Sequence, residues 1–511
     1  MGWFGSSSTR GDILRPLGNS ERFMSAIHLL GLHVGVILSC RYRISAGYKQ
    51  VSIKEAVEVA LACTVLQHPL LQVGLLREDS AAPAWIRLNS IDLGYHVEWI
   101  GVKDASDEAF EEAFRDAVQP LVSSPFPDLE TRPGWRVVVF RDPEDNKWIE
   151  VLFAFSHANC DGLSGKIFHD DFLKYLGNLP ESQNAKLLLK DGILGLPPLT
   201  PAYMTPPQEK LLDFTVSAPW ALGSLWAELK PPMLATKADA AWMPIRSDLP
   251  PSPRWRVFTV GAEEMARILE ACRENSTTFT PLLHAVTFVA FAGQVSQEQA
   301  PTFLANTPIS LRRFIRRDGV KPDRLIGNLI TRQNHRFDTV LVKEVRQKLQ
   351  ERDSESASEA STAMEYLERT VWEEAGRVRR ELLLKLEQGV RNDQSSLMGL
   401  VSDARDYFKQ NIKKTRKLTW DVTNVGTIER TAPEQSAGLP ETWSVEKMLF
   451  TQSTCETEAG YYISVAGVKG GSVCVSCIWK EGVLSDDMGH GISKRMEDQL
   501  VNLGTQGKIF Q

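Results

Sequence analysis

Twelve of the 27 prolines in this chain fall between Pro197 and Pro253, four times as adjacent pairs: Pro197-Pro198, Pro206-Pro207, Pro231-Pro232 and Pro250-Pro251. Proline has no backbone N–H to donate and pushes the residue before it out of helical conformation, so such a stretch neither continues a helix nor fills the middle of a sheet. It reads as a long extended crossover (197–253) joining an N-terminal lobe (1–196) to a C-terminal lobe (254–511). The length of 511 residues calls for that division, because single cores stop growing at about 250–300 residues. With 43% hydrophobic and 24% charged residues, both lobes have the composition of ordinary folded protein. The 58 basic and 64 acidic residues give a net charge of −6, which provides no basic field of the kind that holds nucleic acid. Nucleic acid is excluded as a partner.

Hydrophobic periodicity gives both lobes alternating helices and strands. Ser52-Ile53-Lys54-Glu55 has the form of a capping box, and Ile53, Val57, Leu61 and Val65 make one apolar helix face. Trp135 to Phe140 and Trp148 to Ser156 read as a hairpin around Asp142-Pro143-Glu144-Asp145-Asn146. The second strand is apolar on nearly both faces, as a central strand must be. Beyond the crossover, strands are expected at Trp255–Val260, Thr302–Leu311, Lys417–Val425, Trp443–Gln452, Tyr461–Val468 and Val473–Trp479. Helices are expected at Ala262–Glu274, Thr280–Val295, Asp487–Val501 and about Ser354–Gly389, the last a solvated surface helix of mixed charge.

The seven cysteines, Cys40, Cys63, Cys160, Cys272, Cys455, Cys474 and Cys477, are odd in number and scattered, unlike a secreted disulfide framework. Cys474 and Cys477 lack the second pair that zinc would need and fall in a strand, so they read as structural thiols and no metal site is expected. The apolar run Ala26–Cys40 contains His28 and His33 and is too short to span a bilayer. A cytoplasmic protein is expected. Met1-Gly2-Trp3-Phe4-Gly5-Ser6 fits the loose N-myristoylation pattern, which would add only weak, peripheral association with an intracellular membrane.

The chemistry is concentrated at the end of the central strand: Phe155-Ser156-His157-Ala158-Asn159-Cys160-Asp161-Gly162-Leu163-Ser164-Gly165, with a helix beginning near Lys166. A loop at a strand terminus can present a side chain to a cleft, and imidazole, with an ordinary pKa of about 6.5, is largely neutral at pH 7 and able to accept a proton. A strand-end histidine is also a common capping residue and Asp-Gly a common turn, so further segments have to decide between the two.

Those segments exist. The H-x-x-x-D-G string resembles the active-site motif of the CoA-dependent acyltransferase superfamily, which includes chloramphenicol acetyltransferase, plant BAHD acyltransferases, trichothecene acetyltransferases and peptide-synthetase condensation domains. Leu14-Arg15-Pro16-Leu17-Gly18-Asn19-Ser20-Glu21, followed by His28-Leu29-Leu30-Gly31, resembles the opening of the fungal alcohol acetyltransferase family. Pro308-Ile309-Ser310-Leu311-Arg312 with Ile326-Gly327-Asn328 resembles the superfamily's arginine-bearing strand and later Gly-Asn. Val422-Thr423-Asn424-Val425-Gly426 resembles its S-N-x-G strand. Two features depart from relatives: Ser156 stands where some have a second histidine, and the plant D-F-G-W-G is absent.

The resemblance implies an α/β fold of two chloramphenicol-acetyltransferase-like lobes, with mixed sheets flanked by helices and a tunnel at their interface. It implies transfer of an acyl group, most simply acetyl, from acetyl-CoA or another acyl-CoA cosubstrate to a small-molecule alcohol acceptor, by a monomer. His157 would be the general base and no covalent acyl-enzyme would form. Asp161 would be structural, turned from the cleft and paired with Arg312. Gly162 and Gly165 would keep the loop clear of substrate, or would serve as ordinary turn glycines. Asn424 and Ser453 are the candidates for oxyanion donor. Lys413 and Lys414, and Arg316, are the candidates for the CoA phosphates, with a solvated surface as the alternative for each run. An amine-acylating or condensation-type enzyme using a carrier-bound thioester, and a non-catalytic scaffold of the same fold, stay open.

Overall fold

A computed structural model of the chain describes residues 13–44, 52–102, 107–142, 147–177, 183–229, 239–431 and 443–511. The N-terminal hexapeptide, the turn residues 143–146 and Pro231-Pro232 lie outside the described residues. In chain order, two large sheets are built from β1 (Val36–Ile44), β2 (Val97–Gly101), β3 (Trp135–Arg141), β4 (Trp148–Phe155), β5 (Pro253–Val260), β6 (Phe303–Ser310), β7 (Ile330–Phe337), β8 (Trp420–Ile428), β9 (Trp443–Gln452), β10 (Tyr461–Val468) and β11 (Val473–Lys480). The first sheet has the order β9-β1-β4-β3-β2 and the second β5-β11-β10-β8-β6-β7. Both are mixed: β2 runs parallel to β3, and β8 parallel to β6 and β10.

β4 is the middle strand of its sheet and is buried without a break from Ile149 to Phe155. Its apolar run lacks alternation because both faces are covered. The Phe153 ring stacks on Phe168 of the following helix, Gly162–Gly177, with centroids 3.8 Å apart. The one carboxylate in the strand, Glu150, is buried but satisfied by Ser39 Oγ at 2.5 Å and Arg41 Nε at 2.9 Å, both from β1. The Ile53–Gln67 helix begins where Ser52 Oγ accepts the Glu55 N–H, and it buries Val57, Leu61 and Val65. In the second lobe, the Phe279–Ala292 helix is buried at every position but Thr280. Its Phe291 stacks on Trp420 of β8, which also meets Phe303 and Phe337.

The crossover is not extended throughout. Ala218–Leu229 forms a twelve-residue helix within it. Pro219 occupies the second position, where an N–H would have no partner inside the helix in any case.

β9 leaves the C-terminal half and joins the N-terminal sheet. It pairs antiparallel with β1 from Trp443 opposite Ile44 to Gln452 opposite Val36. The crossover therefore divides the sequence more cleanly than it divides the sheets. The seven cysteines are all buried free thiols, with Cys474 and Cys477 inside β11. Among the described residues no helix is long and apolar enough to cross a membrane.

Candidate active site

β4 ends at Phe155, and the chain turns through Ser156 to Asp161 before the Gly162–Gly177 helix. The turn is pinned from several directions. Ser156 N–H donates to Gly134 O at 2.8 Å, Asn159 N–H to Ser156 O at 3.1 Å, and Asn159 Nδ2 to Leu70 O at 3.0 Å.

Asp161 and Arg312 are buried together, at 1% and 4% exposure. Arg312 Nη1 donates to Asp161 Oδ2 at 2.7 Å and Nη2 to Oδ1 at 2.9 Å, a bidentate fork. The same guanidinium donates to the carbonyls of Leu325 and Gly327, while Asp161 also accepts from Leu329 N–H, Ser164 N–H and Ser164 Oγ. Burial pushes the Asp161 carboxyl up, but the Arg312 charge and these donors outweigh it and hold it below its ordinary value. Arg312 lies just past the end of β6, in the tight turn Leu311–Phe314, so the pair ties the β4 loop to the second lobe.

His157 is partly exposed. Burial lowers its pKa, against the Asp161 charge and the backbone carbonyls of His157 and Cys160, which raise it. Asn328 Nδ2 donates to His157 O at 2.9 Å and stands 3.3 Å from Nδ1. His33 lies edge-on to the ring, with centroids 5.5 Å apart and planes at 66°.

The other residues named from sequence lie around this centre in different roles. A Cβ at Gly162 would come within 2.8 Å of Val425 Cγ1, and one at Gly165 within 2.8 Å of Leu38 Cδ1. These glycines let the helix seat against β8 and β1. Asn424 is exposed, and its amide spans Thr280 Oγ1 at 3.0 Å and Gly426 N–H at 2.8 Å, bracing an irregularity in β8 where Gly426 takes φ 79°. Ser453 Oγ accepts from Val34 N–H and Gly35 N–H and meets His33 Nδ1 at 3.1 Å, so its proton is committed. Lys413 and Lys414 are exposed just after the Ala404–Asn411 helix, while Arg316 is turned back onto the carbonyls of Arg313 and Ile315. Arg416, in the same basic run, is buried and spans the carbonyls of Met243, Pro244, Glu458 and Ala459. The sequence reading gives no role to His33 or Asn328. His33 shows only as a polar residue in an apolar run, and Asn328 only as part of a Gly-Asn pair.

Residues 103–324, which contain the whole β4 loop and Arg312, match the family model for alcohol acetyltransferase. The chain is 26% identical to a "probable alcohol acetyltransferase" of Fusarium pseudograminearum, over 98% of this chain and 97% of the relative. A second "probable alcohol acetyltransferase", of Aspergillus fumigatus, is 23% identical over 93% of this chain and 96% of its own. Solved structures share the fold. The trichothecene 15-O-acetyltransferase of Fusarium sporotrichioides superposes with a TM-score of 0.69 at 14% identity, covering 97% of each chain. The first condensation domain of the calcium-dependent antibiotic synthetase superposes with a TM-score of 0.55 at 14% identity, covering 97% of this chain and 98% of that domain. The matched residues thus sit on a fold shared with those two solved structures.

Proposed function

We propose that the protein is an O-acetyltransferase that moves an acetyl group from acetyl-CoA to the hydroxyl of a small alcohol or secondary metabolite. The observation that carries this reading is His157: a partly exposed imidazole at the end of the central strand, beside Asn328, with a pKa lowered by burial. The alcohol acetyltransferase pattern and the two fungal relatives support the choice of acceptor class.

The thioester is already activated, so the demand on the protein is to remove the hydroxyl proton as the oxygen attacks. Nε2 takes that proton while the C–O bond forms at the thioester carbonyl. The C–S bond then breaks, and the imidazolium returns the proton to the CoA thiolate. Asp161 has no part in proton transfer, because both its oxygens are taken by Arg312 and the loop donors. Lys413 and Lys414 are the cations we assign to the CoA phosphates.

The test is release of free thiol from acetyl-CoA in the presence of alcohols and of amines. His157→Ala should lower transfer by about 10²–10⁴-fold with cooperative unfolding retained. Because a base must be unprotonated to act and this one has a lowered pKa, the acid limb of the kcat profile should lie below the ordinary histidine value of 6.5. Turnover with amines alone, or a fully active His157→Ala enzyme, would defeat the reading.

A further inference from the structure

His33 is buried, and its ring is hydrogen-bonded by Ser453, Gln452 and its own carbonyl. Ser453 Oγ accepts two backbone N–H groups, from Val34 at 2.9 Å and Gly35 at 3.3 Å, so its own O–H is left for His33 Nδ1. Gln452 also hydrogen-bonds the ring, and its amide nitrogen donates to Ser464 Oγ at 3.2 Å, leaving its oxygen to accept a ring N–H. Burial, then the charge that His157 can carry, push the His33 pKa down to about 3. The ring is a neutral plate held by Ser453 and Gln452, unable to accept a substrate proton itself.

What it offers is its contact with His157. A histidine's outer torsion is broad and has no strong preference of its own, so the direction of Nε2 has to come from neighbours. Asn328 holds the Nδ1 side, and His33 lies edge-on at 5.5 Å. The other titratable groups acting on the two rings are Asp161 on His157 and His28 on His33. We propose that His33 is a positioning residue: its fixed ring, opposed by Asn328, holds the His157 imidazole in the one orientation that presents Nε2. The tie depends on β9, since Gln452 and Ser453 reach His33 only because that strand crosses to the first sheet.

This inference rests on His157 as the base, and its test separates the two. In the full-length protein, His33→Ala should lower kcat about 10- to 100-fold while the KM values for acetyl-CoA and alcohol stay within about twofold. With ¹⁵N-histidine labelling, His157 should pass from a single tautomer to an averaged signal. His33→Phe, which keeps a ring but no hydrogen bonds, should recover most of the lost kcat, and His33→Asn, which keeps an acceptor for Ser453 but no ring, should not. If His33→Ala does not fold, the Phe and Asn variants decide. Unchanged kcat and spectrum, a loss confined to KM, or recovery by Asn in place of Phe would overturn the proposal. Absence of transfer by the wild-type protein to any acceptor would defeat the functional reading instead, and the His157 signal in the variants would still decide the positioning.

Discussion

Asp161 shows how a motif residue can matter to the site without touching substrate. Its carboxylate is spent on Arg312, Ser164 and Leu329, and a buried pair of this kind is costly to break because the survivor keeps its charge. Asp161→Asn retains the shape but leaves Arg312 uncompensated, so a loss of about 3–5 kcal/mol is expected in urea unfolding. The exposed pair Arg132–Asp128, at 2.9 Å, should contribute less than about 1 kcal/mol in the same assay. The pH dependence has a definite sign: the folded-state pKa of Asp161 lies below its ordinary 3.8, so its contribution is complete above that value and is lost as pH falls through the lower one. At this scale the motif is readable because His157, Asp161 and Gly162 fall within six consecutive residues. His33 is not, because nothing local to Leu32-His33-Val34 says that a distant Gln452-Ser453 closes on it.

Among the elements, the Gly162–Gly177 helix has to approach β8 closely enough that Val425 occupies the place of a side chain at its first residue. Gly162→Ala would insert a methyl carbon 2.8 Å from Val425 Cγ1, an overpacking worth about 1–3 kcal/mol. The accompanying shift of the helix start should reduce kcat as well, and Val425→Ala in the same chain should restore part of both losses, as measured by thermal unfolding and thiol release. Most elements could be read in advance because their patterns are strong: an unbroken apolar run for β4, a capping serine before Ile53–Gln67, and matched apolar strands for β10 and β11. In the crossover, proline density reads as excluding helix, whereas Pro219 lies in the first turn of Ala218–Leu229, where the penalty is absent.

At the scale of the whole molecule, the exchange of β9 makes the two lobes one cooperative unit. No sequence pattern announces it, since an apolar strand looks the same whichever sheet it joins, and the partner is set by topology. Without β9, the edge of β1 from Val36 to Ile44 would present unpaired backbone and invite association. Residues 1–253 expressed alone should therefore aggregate, and fusing residues 443–452 through a flexible linker should return soluble monomer, as judged by size-exclusion chromatography. The intact chain should unfold in a single calorimetric transition.

The same exchange sets an order of events during synthesis. At elongation rates of about 5–20 residues per second, β9 leaves the ribosome roughly 15–60 s after β4. Throughout that interval each nascent molecule carries a nearly finished first half that lacks its last strand, so the time a translating cell must shield it is written into the path of the chain.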